Sequence, residues 1–433
     1  MQNRQQKNEC DPRPQQPELF PADRAAISAN LGLTFRDSKS LPVHGWYPYV
    51  EGFSASYIED LIRQYSGDGI AYDPFGGSGT VNLIASNMGI RSAFSEANPF
   101  MRFVAETKIN ARNAARLDFS AFNEMVARFS SWANSPEFIQ SCKDLDISGY
   151  ELAFNGRDFF AENNLRELLA LRDAARLIAD GHPAFRDLLL LSIASVTVAC
   201  SHMTRRADLR RRRSDEYLNR VVNVRKAVLD KLGIILRDIA LTPLHQSSIE
   251  FASPDCRTAI PHLENSVGLV LTSPPYLNGT NYIRNTKLEL WLLGFIQTER
   301  ELSELNKVCM VCGINNVVRA RAPRNVFDDV EQIAGMLRDV SPDFRIPEMV
   351  RGYFSDMYEV FMNCKLYLKA NGKIVLDIGD SRFYGVNVPT DSILVSVAAQ
   401  VGLRLEKQKL LARRHSRDKT PLKQVELVFT HDD

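Results

Sequence analysis

Short apolar runs that end at turn residues recur along the chain and are separated by segments with helical periodicity. The runs Ala71–Asp73, Arg91–Glu96, Leu269–Leu271 and Lys373–Gly379 have the length and the endings of buried strands. The segment that begins at Tyr57 carries apolar residues at the spacing of an amphipathic helix, and similar segments follow most of the strands. This alternation predicts an α/β fold with a doubly wound sheet.

Three regions depart from the alternating pattern. Residues 107–246 have helical periodicity throughout, which predicts a large helical insertion between two parts of one catalytic domain, 41–106 and 247–433. Residues 1–40 are polar and interrupted by proline, so we expect a mobile segment. Residues 300–350 show little strand pattern and predict a smaller insertion. At the end of the chain, two alternating runs predict a hairpin that places an antiparallel last strand in a mixed sheet.

The strand at Leu269 continues directly into Ser273-Pro274-Pro275-Tyr276. Two prolines fix the backbone and exclude a helix, so the Ser273 hydroxyl and the carbonyls of Ser273 and Pro274 face one place beside an aromatic ring. Such a turn suits a planar group with an exocyclic amine: the oxygens accept the amine hydrogens and the ring stacks on a flat base, as in enzymes that act on flipped nucleobases. A simple turn that ends a strand is the alternative.

A second motif precedes the first along the chain. The strand that ends at Asp73 is followed by a loop with three glycines and then by a helix, whose first N–H groups are open to a ligand. No Lys-Ser/Thr pair follows the glycines, so the loop is not a phosphate loop. The next strand ends at Glu96, where a carboxylate is placed to accept hydrogen bonds from ribose hydroxyls. A nucleoside with a carboxylate tail therefore suits this loop better than a nucleotide with phosphates.

Together these motifs resemble the amino-methylating DNA methyltransferases, whose cofactor loop is similar to Asp-Pro-Phe-x-Gly-Ser-Gly-Thr and whose catalytic turn is Ser/Asp/Asn-Pro-Pro-Tyr/Phe. The resemblance implies a Rossmann-like class I methyltransferase fold and S-adenosyl-L-methionine as cofactor. It implies that the catalytic residues are Ser273, Pro274, Pro275 and Tyr276. The residues expected at the cofactor are Asp73, Pro74, Phe75, Gly76, Gly77, Ser78, Gly79, Thr80, Glu96, Asn98, Asp255 and Cys256.

Two further features bear on the resemblance. The family has a strand that ends in Gly-Asp-Ser, which makes Asp380 a candidate for the pocket wall. The family's Gly-Asp-Ala form is absent around Asp255, and the long insertion precedes Asp255, so the order of motifs assigns no subclass. Ser273 at the first position of the turn favours the N4 amine of cytosine in the family, whereas Asp or Asn favours the N6 amine of adenine. An RNA methyltransferase and an inactive nucleic-acid binder are the alternatives.

Charge adds one local feature to this picture. The 433-residue chain has 53 basic and 52 acidic residues and a formal net charge of +1, so no global field indicates nucleic acid. Six arginines fall within nine positions, a density that suits phosphate contacts to double-stranded DNA, although a solvated helix face is the alternative. These arginines are Arg205, Arg206, Arg210, Arg211, Arg212 and Arg213, and they make the helical insertion 107–246 the candidate region for DNA contact and target recognition. The basic segment Arg319–Arg324 is a second candidate for DNA contact, and an ordinary surface insertion is the alternative.

The seven cysteines are scattered without a disulfide-like framework, which favours a reducing, cytoplasmic location. Cys309 and Cys312 form the one close pair, and without partner ligands we expect no metal site. We find neither a signal peptide nor an apolar run long enough to span a bilayer, so we expect no membrane association. A cognate restriction endonuclease is a further partner that the resemblance implies.

Overall fold

A seven-stranded mixed sheet lies at the centre of the computed structural model, which describes residues 38–48, 54–205, 208–217, 220–245, 247–277, 281–317, 323–415 and 419–432. The strands in this part of the chain are β1 (Ile70–Asp73), β2 (Ser92–Ser95), β3 (Met203–Arg205), β4 (Leu209–Arg211), β5 (Ile249–Ser253), β6 (Val267–Thr272), β7 (Leu368–Gly379), β8 (Ser381–Phe383), β9 (Val386–Val388), β10 (Leu403–His415) and β11 (Pro421–His431). Two small hairpins, β3–β4 and β8–β9, lie outside the sheet.

Helices occupy most of the remaining described chain. They are α1 (Ala55–Tyr65), α2 (Thr80–Asn87), α3 (Pro99–Glu106), α4 (Arg112–Leu117), α5 (Phe119–Ala133), α6 (Pro136–Asp144), α7 (Ser148–Phe154), α8 (Glu162–Ile178), α9 (Pro183–Val196), α10 (Ser214–Tyr217), α11 (Val224–Leu241), α12 (Tyr282–Asn285), α13 (Lys287–Leu292), α14 (Glu299–Val308), α15 (Asp328–Val340), α16 (Arg345–Tyr367) and α17 (Thr390–Gln400). A π-helical turn, Thr107–Ala111, joins α3 to α4. No helix in the described ranges has both the length and the apolarity that a membrane span requires.

The order of the strands across the sheet is β10-β11-β7-β6-β1-β2-β5. Neighbours from β7 to β5 are parallel, whereas β11 runs antiparallel between β7 and β10. This is the Rossmann-like methyltransferase fold, and it confirms the predicted doubly wound sheet with an antiparallel last strand. The order reverses between β1 and β6, which is where open α/β sheets bind ligands.

Helices cover both faces of the sheet because successive strand residues point to opposite sides. Ala71 and Leu269 face a core cluster that includes α1 and α2. Tyr72 and Val270, each one position further along, face the larger cluster formed with α16 and α17. The central strands are buried on both faces, and β6 is buried along its whole length, which explains why its sequence is continuously apolar.

The predicted helical region 107–246 contains a hairpin that its periodicity does not predict. The strands β3 and β4 carry Arg205, Arg210 and Arg211, and Arg212 and Arg213 follow β4. These five arginines therefore lie on a hairpin and its exit and not on a helix. The helices of this region share one hydrophobic core with Phe94 of β2, with Ile249 of β5 and with Trp291. The insertion is therefore continuous in packing with that edge of the sheet.

A buried polar network joins the hairpin to the segment after the Ser273 turn. Arg205 donates hydrogen bonds from Nη2 to Glu289 Oε1 at 2.7 Å and from Nη1 to the Tyr47 hydroxyl at 2.8 Å. The Tyr47 hydroxyl donates to the same Glu289 oxygen at 3.0 Å, and Arg205 Nε donates to the carbonyl of Asn285 at 2.9 Å. The Glu289 side chain is 1% exposed. Removing one member of such a network leaves its partners buried without a counterpart.

We predict that Glu289→Ala lowers the free energy of unfolding by about 3–5 kcal/mol, because it leaves a buried guanidinium and a buried hydroxyl without their acceptor. Lys226→Ala is the control, since it breaks an exposed pair with Asp230 within α11 and should cost less than about 1 kcal/mol. Urea unfolding followed by circular dichroism measures both. Equal midpoints for the two variants would contradict a structural role for the network.

Candidate functional site

The two sequence motifs meet at the carboxyl edge of the sheet because their strands, β1 and β6, are parallel neighbours. Asp73, the last residue of β1, accepts a hydrogen bond at Oδ1 from the Thr272 hydroxyl at 2.6 Å. The same oxygen accepts from the Phe75 backbone N–H at 3.0 Å. One buried carboxylate oxygen thus ties the start of the glycine-rich loop to the residue that precedes Ser273.

The loop wraps tightly because Gly79 has a left-handed backbone, with φ of +76°. A Cβ at Gly79 would also lie 2.8 Å from Cβ of Ala105 in α3, so glycine is required for both conformation and packing. α2 begins at the next residue, Thr80. The turn therefore places the N-terminus of α2 at the carboxyl edge of the sheet, where the first N–H groups of a helix have no partner within the helix.

Glu96 follows β2 and faces this loop. Its Oε2 accepts from the Gly77 N–H at 2.8 Å, and its Oε1 accepts from the Asn98 N–H at 2.8 Å. Burial raises the pKa of Glu96 to about 7, although these two hydrogen bonds oppose the shift. Burial likewise raises the pKa of Asp73 to about 6. The site thus holds two carboxylates that titrate close to neutral pH.

The remaining predicted cofactor residues lie around the same edge but have structural partners. Asn98 caps α3, since its Oδ1 accepts from the Phe100 N–H at 3.1 Å, and its Nδ2 donates to the Thr286 hydroxyl at 2.8 Å. Both carboxylate oxygens of Asp255 accept from Arg257, each at 2.8 Å. The carbonyl of Cys256 accepts from Asn363 at 3.1 Å. For these three, the observed contacts are within the protein.

The Ser273 turn is held in place on its far side. The Tyr276 hydroxyl donates to Asp377 Oδ1 at 2.8 Å, and the Ser381 hydroxyl donates to the carbonyl of Leu277. Pro274 is buried, whereas Ser273 and the ring of Tyr276 are half-buried. The tyrosine ring therefore has a defined orientation while part of it stays open to the site.

A group of buried polar side chains behind Tyr276 is absent from the predicted set. Gln424 donates to both oxygens of Asp377, at 2.7 and 2.8 Å, and the Tyr57 hydroxyl donates to Glu426 at 2.9 Å. Asp377 is 5% exposed and Glu426 is 2% exposed. A signal was present in the sequence, because each acid interrupts a strand that is otherwise apolar, and such acids are buried only with partners.

Lys108 is a second residue that the motifs do not reveal. It lies in the π-helical turn, is buried, and donates from Nζ to the carbonyl of Ser78 at 3.2 Å. Burial lowers the pKa of Lys108 to about 7. π-helical turns are frequent at functional sites, and here the turn allows a lysine to support the glycine-rich loop from within.

Asp380, the predicted pocket-wall residue, lies just past the end of β7. Its N–H donates to the Lys423 carbonyl at 3.0 Å. Burial and the neighbouring Asp391 carboxylate raise the pKa of Asp380 to about 6. Asp391 itself accepts from Lys423 Nζ at 3.1 Å. The observed neighbours of Asp380 are thus the acid and the lysine beside it.

The arginine cluster is divided by its contacts. Arg205 is committed to the buried network with Glu289, and Arg206 lies outside the described residues. Arg210 pairs with both oxygens of Glu216, at 2.9 and 2.8 Å, and Arg211 pairs with Asp158 at 2.5 Å. Arg212 is half-buried, whereas Arg213 is exposed.

In the second basic segment, Arg319 and Arg321 lie outside the described residues. Arg324 is exposed, and its backbone N–H donates to the Ser355 hydroxyl at 3.0 Å.

Within the described ranges, no group of three His, Cys, Asp or Glu side chains has the arrangement of a metal site. Cys312 is buried, and the Cys309 thiol donates to the carbonyl of Leu305 at 3.3 Å. The close cysteine pair is thus packed into the fold.

The strand order and the antiparallel last strand give the chain the fold of a Rossmann-like methyltransferase. Such a fold implies S-adenosylmethionine as the cofactor, and the N-terminus of α2 and the Glu96 carboxylate lie at the edge where these sheets bind ligands. Relatives are found over most of the chain. This chain is 24% identical over 404 residues to the type II methyltransferase M.AvaI of Nostoc sp., and the match covers 87% of this chain and 82% of that protein.

The type II methyltransferase M.BsoBI of Geobacillus stearothermophilus is 24% identical over 445 residues, covering 88% of this chain and 82% of that protein. M.MjaII of Methanocaldococcus jannaschii, also a type II methyltransferase, is 34% identical over 106 residues, or 24% of this chain. No protein-family model matches the chain. These relatives confirm the resemblance to methyltransferases that the motifs indicate.

We predict that the affinity for S-adenosylmethionine falls as the pH is lowered through about 7. In the role expected for Glu96, its carboxylate accepts hydrogen bonds from the ribose hydroxyls, which requires the ionised form, and its pKa in the folded protein is about 7. Between about pH 8.5 and about pH 6.5 the dissociation constant should rise roughly fourfold, as expected for one proton. Isothermal titration calorimetry measures the dissociation constant.

The control variant is Glu96→Gln, which keeps the shape of the side chain but cannot ionise. It should bind more weakly than the wild type at about pH 8.5 and show little pH dependence across the same range. An unchanged pH profile in Glu96→Gln would assign the titration to another group.

Proposed function

We propose that the protein is a site-specific DNA methyltransferase that transfers a methyl group from S-adenosylmethionine to the exocyclic N4 amine of cytosine. The observation that carries the proposal is the hydrogen bond from Thr272 to Asp73, which joins the glycine-rich loop to the Ser-Pro-Pro-Tyr turn at one edge of the sheet. A donor of methyl groups on the loop would then lie beside an amine held in the turn. The type II methyltransferases among its relatives support DNA as the substrate.

The chain's own residues would act on the amine by position and by hydrogen bonding. When bound, the cofactor supplies a methyl group on a positively charged sulfur. The Ser273 hydroxyl and the carbonyls of Ser273 and Pro274 accept both amine hydrogens, which draws the nitrogen lone pair out of conjugation and stabilises the positive charge that develops on nitrogen. Tyr276 stacks on the flipped base, and its hydrogen bond to Asp377 fixes the position of the hydroxyl end of the ring.

Cytosine is preferred over adenine on the identity of Ser273, because serine at this position favours N4-cytosine in the resembled family. Both bases present an amine beside a ring nitrogen, so the same acceptors serve either. N6-methylation of adenine is therefore the alternative product from the same site, and RNA is the alternative substrate. A cognate restriction endonuclease would recognise the same sequence in unmodified DNA.

The test is incubation of the purified protein with labelled S-adenosylmethionine and unmodified genomic DNA or total RNA, followed by hydrolysis to nucleosides. N4-methylcytosine from DNA is the expected product. N6-methyladenine from DNA would keep the site and change the base, and label in RNA alone would overturn the substrate class. Sequencing of the modified DNA then identifies the target sequence.

In the same assay, we expect Ser273→Ala to lower the turnover number by about 100-fold or more, because one acceptor for the developing charge is lost. Tyr276→Ala should be similarly impaired, since the base loses its stacking surface. Tyr276→Phe is the matched control: it keeps the ring, loses the hydrogen bond to Asp377 and should stay within about tenfold of the wild type. All three should bind S-adenosylmethionine normally. Full activity in Ser273→Ala would remove the central role of the turn.

Among the arginines of the cluster, we propose Arg210–Arg213 as DNA-backbone contacts, with exposed Arg213 the most accessible. Arg213→Ala should weaken DNA binding a few-fold at every sequence and reduce the slope of log affinity against log salt by about 0.9. Glu216→Gln should have the opposite effect, because Arg210 then loses its acidic partner. Fluorescence anisotropy across a salt series measures both, and unchanged slopes would indicate a solvated surface.

A further inference from the structure

An arginine from the edge strand lies over the proposed catalytic tyrosine. The guanidinium carbon of Arg414 is 5.3 Å from the centroid of the Tyr276 ring, within the range of cation–π attraction. Arg414 belongs to β10, where it is the partner of Leu422 in β11. It is half-buried, and none of the sequence motifs points to it. Its position at Tyr276 arises from the last hairpin of the chain.

The end of β7 is shaped to admit this guanidinium. A Cβ at Gly379 would overlap a terminal nitrogen of Arg414 and would lie 3.3 Å from Cε2 of Tyr276. Any residue other than glycine at this position would displace the arginine or the ring. Gly379 at the end of β7 thus leaves a space beside Tyr276, and the guanidinium of Arg414 from β10 fills it.

The Tyr276 ring is half-buried, and the part of it inside the fold contacts the core. Tyr276 packs against the core cluster that includes Leu277, Tyr353 and Phe383, and its hydroxyl is held by Asp377. The hydrogen bond from the hydroxyl to Asp377 fixes the position of the ring axis, and the core contacts restrict rotation of the ring about it. A base that stacks on the surface of Tyr276 under Arg414 would meet the guanidinium.

We propose that Arg414 covers the target-base pocket when DNA is absent, and that it leaves the ring when the base enters and then binds a backbone phosphate of the DNA. A guanidinium is flat and cationic, so it can lie on an aromatic ring and can also bind phosphate in a bidentate manner. This role deepens the proposed function and rests on it. It makes Arg414 a DNA-contacting residue that exchanges one partner for another.

The test compares wild type, Arg414→Ala, Arg414→Lys and Arg413→Ala on duplex DNA that carries 2-aminopurine at the target position found by sequencing. Arg413 is an exposed neighbour on the same strand, so its variant makes the same change of charge on the other side of the strand. DNA affinity across a salt series and 2-aminopurine fluorescence at saturating protein are measured on this duplex. The turnover number is measured on the matching duplex with the natural target base.

For Arg414→Ala we expect DNA affinity to fall about tenfold and the salt slope to decrease by about 0.9, because one phosphate contact is lost. At saturation its 2-aminopurine fluorescence should match or exceed that of the wild type, since nothing competes with the base for the ring. Arg414→Lys should retain the salt slope, and Arg413→Ala should leave the fluorescence at the wild-type level.

Two results would overturn the proposed role of Arg414. Unchanged DNA affinity and salt slope in Arg414→Ala would exclude the phosphate contact. Lower fluorescence and a lower turnover number of Arg414→Ala at saturation would show that Arg414 supports Tyr276 and does not leave the ring when the base enters. Failure of the wild type itself to label DNA would be a failure of the proposed function, and it is distinguished because the wild type is measured in the same assay.

Discussion

The hydrogen bond from the Thr272 hydroxyl to Asp73 is the contact on which the site depends. It is buried, and it joins the ends of two parallel strands through residues that are 199 positions apart in the sequence. Each strand continues into a rigid segment: glycines shape one and prolines shape the other. Because both segments start from fixed points on the same sheet edge, their relative position follows from the sheet and not from flexible loops.

Around this fixed edge the protein keeps several charged groups out of water. Asp377, Glu426 and Lys108 are each buried, and each has a polar partner within the protein. Burial of a charged group costs free energy unless hydrogen bonds compensate for it, so such groups are retained where orientation matters. Here Asp377 holds the hydroxyl of Tyr276, Glu426 holds that of Tyr57, and Lys108 supports the glycine-rich loop. The proposed chemistry needs little more than correct placement of an amine and a methyl donor, which is what these contacts supply.

The arginine cluster shows that basic residues close together in sequence need not form one basic surface. Six arginines within nine positions suggest one basic patch, yet Arg205 is buried against Glu289 and Arg210 is paired with Glu216. The partner of Arg205 is 84 residues away along the chain. By contrast Arg414, from a short basic segment near the end of the chain, lies at the proposed catalytic turn. Composition alone cannot distinguish these two outcomes.

The sequence by itself determined the doubly wound sheet, its antiparallel last strand, and the location of both motifs at strand ends. These features depend on local patterns of apolar residues, glycine and proline, which act within a few residues of where they occur. Only the tertiary structure decided which side chains surround the motifs. Asp377, Gln424 and Arg414 meet Tyr276 because β6, β7, β11 and β10 lie side by side, and their contacts arise from that strand order. Strand order brings distant residues together, and no local pattern in the sequence encodes their pairing.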